Sequence, residues 1–330
     1  MRKSASMLLV PFTALAIASS ALAAGVAPPR PVDRVVAQSA TVPVPLLWKA
    51  SSGEKTVYLL GSFHLLKSAD YPLSPDVENA FADAESVVFE LPPEEMASPT
   101  LGLQMAQAAL RVDGTQLDSE LPPQTAQKLR EWLAANANIL PAAMASQLQL
   151  YEPWFVGLTI TVIGMQQDGL DAKLGLDQHF SEEARKAGKP TAGFETGAQQ
   201  IAFLDGMDKK EQLQFIEEAL SESADGSGEI EKLHAAWRNG DAVALWDGMA
   251  ADMHRQYPAL YQRINVDRND AWLPKIEQRL QSPGGDDTLV VVGALHLLGS
   301  DGVVEKLRAK GYAVERVCSS CKPESTQRAK

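Results

Sequence analysis

The sequence predicts an α/β protein: a mixed central sheet with flanking helices and long helical insertions. Three observations predict it. Apolar, β-branched runs of strand length fall towards both ends of the chain, long stretches with apolar residues every three or four positions lie between them, and no Gly/Ser-rich linker divides residues 46 to 317. With 330 residues, 45% of them hydrophobic and 22% charged, the chain has ample material for a core.

The first 23 residues read as a secretory signal peptide: Arg2 and Lys3, then an apolar run from Met7 to Ala18 that is short for a bilayer, then small residues ending in Ala21-Leu22-Ala23. Cleavage is expected after Ala23, leaving no stable membrane span and placing the protein in the periplasm or outside the cell. Residues 24 to 45 carry Pro28, Pro29, Pro31, Pro43 and Pro45 and form an extended tether. Residues 46 to 330 are then one α/β domain with helical insertions at about 96–187 and 197–283.

Within that domain, residues 46 to 50, the turn Ser51-Ser52-Gly53-Glu54 and residues 56 to 60 read as a hairpin. Further strands are expected over 86–90, 189–195, 288–292 and 312–317. Helical spacing covers 76–85, 101–111, 123–136, 154–167, 176–187, 209–222, 229–253, 267–281 and 302–310. Ser74-Pro75-Asp76 starts one helix, and Gly188 and Gly311 stop two others.

Charge and cysteine content narrow the function. Thirty Lys+Arg against 42 Asp+Glu give a formal charge of -12, or -14 once Arg2 and Lys3 are removed, and no basic stripe is gathered anywhere. Nucleic acid and broad anionic membrane surfaces are therefore excluded as partners. Cys318 and Cys321 close the expected last strand. In an oxidising compartment they read as a local disulfide, ahead of a redox or zinc site, because no helix opens after them and no second pair exists.

The chemistry is carried by a repeated string. Gly61-Ser62-Phe63-His64-Leu65-Leu66-Lys67-Ser68 follows one expected strand and Gly293-Ala294-Leu295-His296-Leu297-Leu298-Gly299-Ser300 follows another, so G-x-x-H-L-L-x-S occurs twice. With 23 Gly and 5 His, about a third of one G-x-x-H is expected by chance. In open α/β sheets ligands bind beyond the carboxyl ends of strands. Gly61 and Gly293 there allow close backbone approach to a substrate, and His64 and His296 project over the sheet edge. Glu90 and Glu195 end two more strands. Two histidines and a carboxylate suit a metal ion with open positions; without metal, the same groups are a general base and its orienter. Glu195 could instead cap the helix that follows it. His179, His234 and His254 sit among charged residues in helical segments and read as solvated faces.

Gly61-Ser62-Phe63-His64, Val87-Val88-Phe89-Glu90, Gly193-Phe194-Glu195-Thr196 with Gln199, Trp246 after Gly240-Asp241, Arg268-Asn269 with Trp272, and Val292 to Gly299 together resemble the TraB/GumN family, which is related to the Tiki metalloproteases. The resemblance spans residues 46 to 317. It implies a sheet core shared with the erythromycin esterase and ChaN-like group, and a metal-dependent peptidase activity whose roles fall on His64, His296 and Glu90. Arg268 matches an arginine that would hold a substrate carboxylate or oxyanion, a helix-surface salt bridge with Asp267 or Asp270 being the other reading.

The resulting expectation is an exported hydrolase using a divalent metal (Zn, Mn or Co) on a peptide or small-molecule substrate. The helical insertions, including Trp154, would cover the pocket and select the substrate. Two alternatives stand beside it: a periplasmic protein that sequesters a peptide, haem or an envelope component, and a metal-free esterase-like hydrolase. The absence of H-E-x-x-H, G-x-S-x-G and P-loop strings excludes the standard zincin, serine hydrolase and NTPase arrangements.

Overall fold

The computed structural model describes residues 42–321, apart from 226–227 and 283–285. The segment expected to be a signal peptide, and the tether up to residue 41, lie outside the described residues. Six strands form one sheet: β1 (Leu47–Ser52), β2 (Lys55–Ser62), β3 (Ser86–Phe89), β4 (Thr191–Gly193), β5 (Thr288–Gly293) and β6 (Ala313–Arg316). Their order is β4-β3-β5-β2-β1-β6. The pairs β2/β5, β5/β3 and β3/β4 are parallel, whereas β1 pairs antiparallel with both β2 and β6. The sheet is therefore mixed.

All six residues of β5 and all eight of β2 are buried, and their apolar stretches 57–60 and 289–292 suit strands at the centre of a helix-covered sheet. Each buried Val or Leu there contributes roughly 1.5–3 kcal/mol relative to exposure. Because β5 lies between β2 and β3, the carboxyl ends of three adjacent parallel strands open on one edge of the sheet. That edge is where His64, His296 and Glu90 emerge.

Helices fill the chain between β3 and β4 and between β4 and β5. Pro153–Gln167 is apolar on all sides and buried almost throughout, because it separates two cores. Trp154, Phe155, Leu158 and Val162 join the main core against the sheet. Val156, Ile160 and Ile163 join a second, smaller core with Leu129, Trp132, Ile216 and Leu220. Among the described residues no helix is long and apolar enough to cross a membrane. Cys318 and Cys321 are joined by a disulfide just after β6.

Two expectations need correction. The helix expected over 229–253 is three helices, Gly228–Arg238, Ala242–Met249 and Ala251–Gln256. The first break falls at Gly240, whose φ of +59° stops the helix, and Asp241 caps the next by accepting from the Ala244 N–H. His234 is not on a solvated face. It is 7% exposed, and its Nε2 pairs with the fully buried Asp70 at 2.8 Å, because the helix carrying it packs on the loop after β2. His179 is half-buried, with its ring 4.7 Å from that of Tyr71, while His254 is exposed.

A buried two-histidine site at the carboxyl edge of the sheet

The two G-x-x-H segments lie side by side. Gly61 pairs with Val292 and Ser62 with Gly293 across β2 and β5, so the two following turns run over the same edge. Neither glycine tolerates a side chain easily. A Cβ on Gly61 would lie 3.2 Å from Ala294 Cα, and one on Gly293 would lie 3.1 Å from Glu90 Oε1 and 3.3 Å from His64 Nε2. The space Gly293 leaves is taken by the carboxylate, which accepts from its N–H at 2.8 Å.

Glu90 follows β3 directly. Beyond the β3/β4 ladder, Phe194 N–H donates to Phe89 O and Glu195 N–H to Glu90 O, both at 2.9 Å, drawing the two glutamates together. His64 Nε2 and His296 Nε2 lie 3.8 and 3.9 Å from Glu90 Oε1. The structure thus brings together His64, Glu90, Glu195, Arg268 and His296, none more than 6% exposed. Gly61 lies under the turn, its carbonyl accepting from Trp237 Nε1 at 3.0 Å. Trp154 is elsewhere in the main core, against Phe155.

Arg268 is a buried residue, not part of a helix-surface pair with Asp267 or Asp270. Its Nε and Nη2 donate to the two oxygens of Glu195 at 2.8 Å each, and Nη2 also donates to Glu90 Oε2 at 2.6 Å. Its Nη1 donates to His296 Nε2 at 3.0 Å and to Ile264 O at 3.5 Å. These five contacts match the five N–H groups of a guanidinium, so the hydrogen-bonding capacity expected for a substrate carboxylate or oxyanion is spent inside the protein. The guanidinium also faces the Trp272 ring at 4.9 Å. Glu195 does not cap the next helix. That role belongs to Thr196, which accepts from Gln199 N–H, while Glu195 also accepts from Trp272 Nε1 at 2.8 Å and Gln200 Nε2 at 3.1 Å.

Two residues that sequence reasoning did not select hold the imidazoles. His64 Nδ1 donates to Asp177 Oδ2, which also accepts from Ser62 Oγ at 2.5 Å. Asp177 arrives because Gly175, where a Cβ would fall 2.0 Å from the His64 carbonyl oxygen, lets the helix Leu176–Ala187 dock there. Asn269 Nδ2 donates to Asp301 O at 2.8 Å, which turns its Oδ1 towards His296 Nδ1 at 2.7 Å. In both rings Nδ1 faces an oxygen acceptor and so carries a proton, and Nε2 lies beside Glu90 Oε1, at 3.8 and 3.9 Å, that of His296 also accepting from Arg268. Arg268, Asn269 and Trp272 share the helix Asp267–Gln281, entered through a π-helical turn at Gln262–Val266. Such turns recur at functional sites.

These surroundings separate the two histidines. Burial opposes protonation of His64, but the Asp177 carboxylate, helped by Glu90, outweighs it and raises the pKa. His296 has a carboxamide partner instead; burial and then Arg268 hold its pKa well below the ordinary value. Burial would raise the pKa of Glu90, yet Arg268 and then His64 bring it below the usual carboxylate range.

A divalent ion suits these donors in type. Each imidazole is held through Nδ1 with Nε2 presented, as outer hydrogen bonds hold metal-ligating histidines. The network joins three carboxylates, Asp177, Glu90 and Glu195, to the Arg268 guanidinium and to His64, whose protonation Asp177 and Glu90 favour. In the arrangement described, however, His296 Nε2 accepts from Arg268, and among the described residues no group of three His, Cys, Asp or Glu side chains is set to hold a metal ion.

A mixed α/β sheet with paired histidines over its carboxyl edge defines the class, and the TraB/PrgY/gumN family model matches residues 46–316: the chain belongs to the TraB/PrgY/gumN family. Particular relatives include the uncharacterized protein YbaP of Escherichia coli (strain K12), 23% identical over 256 residues that cover 78% of this chain and 89% of YbaP. Metalloprotease TIKI2 of Danio rerio is 22% identical over 301 residues, covering 78% of this chain and 58% of TIKI2. No solved structure matches.

Proposed function

We propose that the protein is an exported, metal-dependent hydrolase acting on a peptide. The observation that carries this reading is the convergence of His64 Nε2 and His296 Nε2 on one oxygen of Glu90, at 3.8 and 3.9 Å. The similarity to a protein named a metalloprotease supports it, as does the signal-like N-terminus. A Zn, Mn or Co ion held by His64, His296 and Glu90 would polarise a carbonyl and acidify bound water. The chain's own part is to hold both Nε2 atoms towards Glu90 through Asp177 and Asn269, and to balance the buried carboxylates with Arg268. Because no site residue is more than 6% exposed, a substrate reaches them only when covering segments move.

Metal-free acid–base hydrolysis is a second reading, favoured by the Arg268 hydrogen bond to His296 Nε2. Metal content and peptide cleavage, measured together on wild type, His64→Ala and His296→Ala, separate these readings. Bound metal with turnover abolished in both folded variants is expected. Cleavage that survives exhaustive chelation supports the metal-free route, tight binding of an intact peptide supports sequestration, and activity persisting in both variants rejects this site.

A further inference from the structure

Arg268 stands where a metal ion would have to compete. Its Nη1 uses the lone pair of His296 Nε2, and its Nη2 is 2.6 Å from Glu90 Oε2. One imidazole lone pair serves either an N–H donor or an ion, so an ion bound by His296 displaces Nη1. A dication is also repelled by a guanidinium in the same dry cluster. The arginine is nevertheless fixed from its other side: Nε and Nη2 grip both oxygens of Glu195 at 2.8 Å, and Trp272 lies against the plane. Only the Nη1 end has to let go for His296 to be released.

We propose that Arg268 is the site's resident counter-cation and competes with a divalent ion for His296 Nε2 and the Glu90 carboxylate, so that this arginine, anchored by Glu195, sets how tightly the site takes metal. The inference deepens the metal-dependent reading and rests on it. It makes Arg268 a positioning residue that never touches substrate. Without an ion, the guanidinium keeps His296 oriented and the glutamates neutralised; with an ion, it withdraws to its anchor on Glu195.

The test is ion affinity, read by calorimetry with Zn²⁺ and by the absorption spectrum of added Co²⁺, on purified wild type, Arg268→Met and Arg268→Lys. Arg268→Lys retains the charge but loses the fork that reaches His296, so it separates competition for the lone pair from simple charge removal. Both variants should bind the ion about tenfold more tightly or better, the scale on which outer-shell partners act on a metal site. Should Arg268→Met not fold, Arg268→Lys carries the comparison. Nitrogen NMR of histidine-labelled wild type adds a readout needing no substitution: Zn²⁺ should shift His296 Nε2 and abolish its coupling to the Arg268 N–H.

Wild type and folded variants binding alike, or the variants binding more weakly, overturns the inference and leaves the metal reading standing. If none binds, the metal reading fails and takes the inference with it. If the variants bind and wild type does not, Arg268 wins the competition in the native chain, as proposed.

Discussion

The backbone N–H of Glu195 donates to the carbonyl of Glu90 at 2.9 Å, and this bond sets two carboxylates beside each other with Arg268 bridging them. The chain thereby places two acids at the end of adjacent parallel strands and answers them with one fully buried base from a helix over 70 residues further on. Like charges so close would repel without it.

Removing that base should be costly. Arg268→Ala leaves two glutamates unpaired in a dry site, a change worth about 3–5 kcal/mol for a broken buried pair. Urea unfolding should show the midpoint falling with little change in slope. An Arg268→Ala protein as stable as wild type would mean that the bridge contributes nothing to the fold.

Asp177→Asn should reduce metal affinity and turnover by roughly 10–100-fold, the usual effect of losing an outer partner. The carboxamide keeps the shape and a hydrogen bond, but it can present N–H to His64 Nδ1 and so reverse the ring's tautomer. Nitrogen NMR of the His64 ring detects the reversal directly. Unchanged tautomer and unchanged affinity would remove Asp177 from the site.

This residue also marks the limit of what the sequence reveals. His64 and His296 stand out because one string recurs after two strands, and Glu90 and Glu195 because an acid ends an apolar run. The parallel pairing of β2 with β5, which sets the two strings side by side, is supplied by the structure. Asp177 is invisible by those means: it is one acid among many at the start of a helix, and only the docking of Gly175 onto the His64 carbonyl brings it to the imidazole. Asn269 is legible only beside Arg268 in the resemblance, and its partner Asp301 not at all. Likewise, His234 reads as surface until Asp70, 164 residues away, supplies a buried partner. Local patterns expose residues placed by their own strand; they hide those placed by another element's packing.

Gly175→Ala tests that docking. Its Cβ would meet backbone at 2.0 Å, so the helix and the loop must part. Overpacking of this kind costs roughly 1–3 kcal/mol. Because the displaced helix carries Asp177, activity should fall further than stability alone explains. Gly293→Ala meets the ends of Glu90 and His64 at 3.1 and 3.3 Å, and should lower activity with a smaller loss of melting temperature. Equal melting temperatures for Gly175→Ala and wild type would contradict the close approach.

The buried Asp70 predicts how the fold responds to acid. Burial acts to raise its pKa, but His234 Nε2 at 2.8 Å, the Lys67 N–H at 2.7 Å and the Arg238 guanidinium outweigh it and bring the pKa below the ordinary 3.8. A carboxylate whose pKa is lower folded than unfolded contributes stability that is fully present above the unfolded value. That stability is lost as pH falls through the lower folded value. Wild type should therefore lose stability steeply once the pH drops below about 3.8, as Asp70 takes up a proton on unfolding. Asp70→Asn should start less stable at neutral pH and lose less in that acid window, narrowing the gap between the two. Parallel curves of unfolding free energy against pH would show that Asp70 is not ionised through this network. Because Asp70 ties the helix Gly228–Arg238 to the loop that follows His64, the same variant should expose the Trp237 indole, visible as a red shift in its fluorescence.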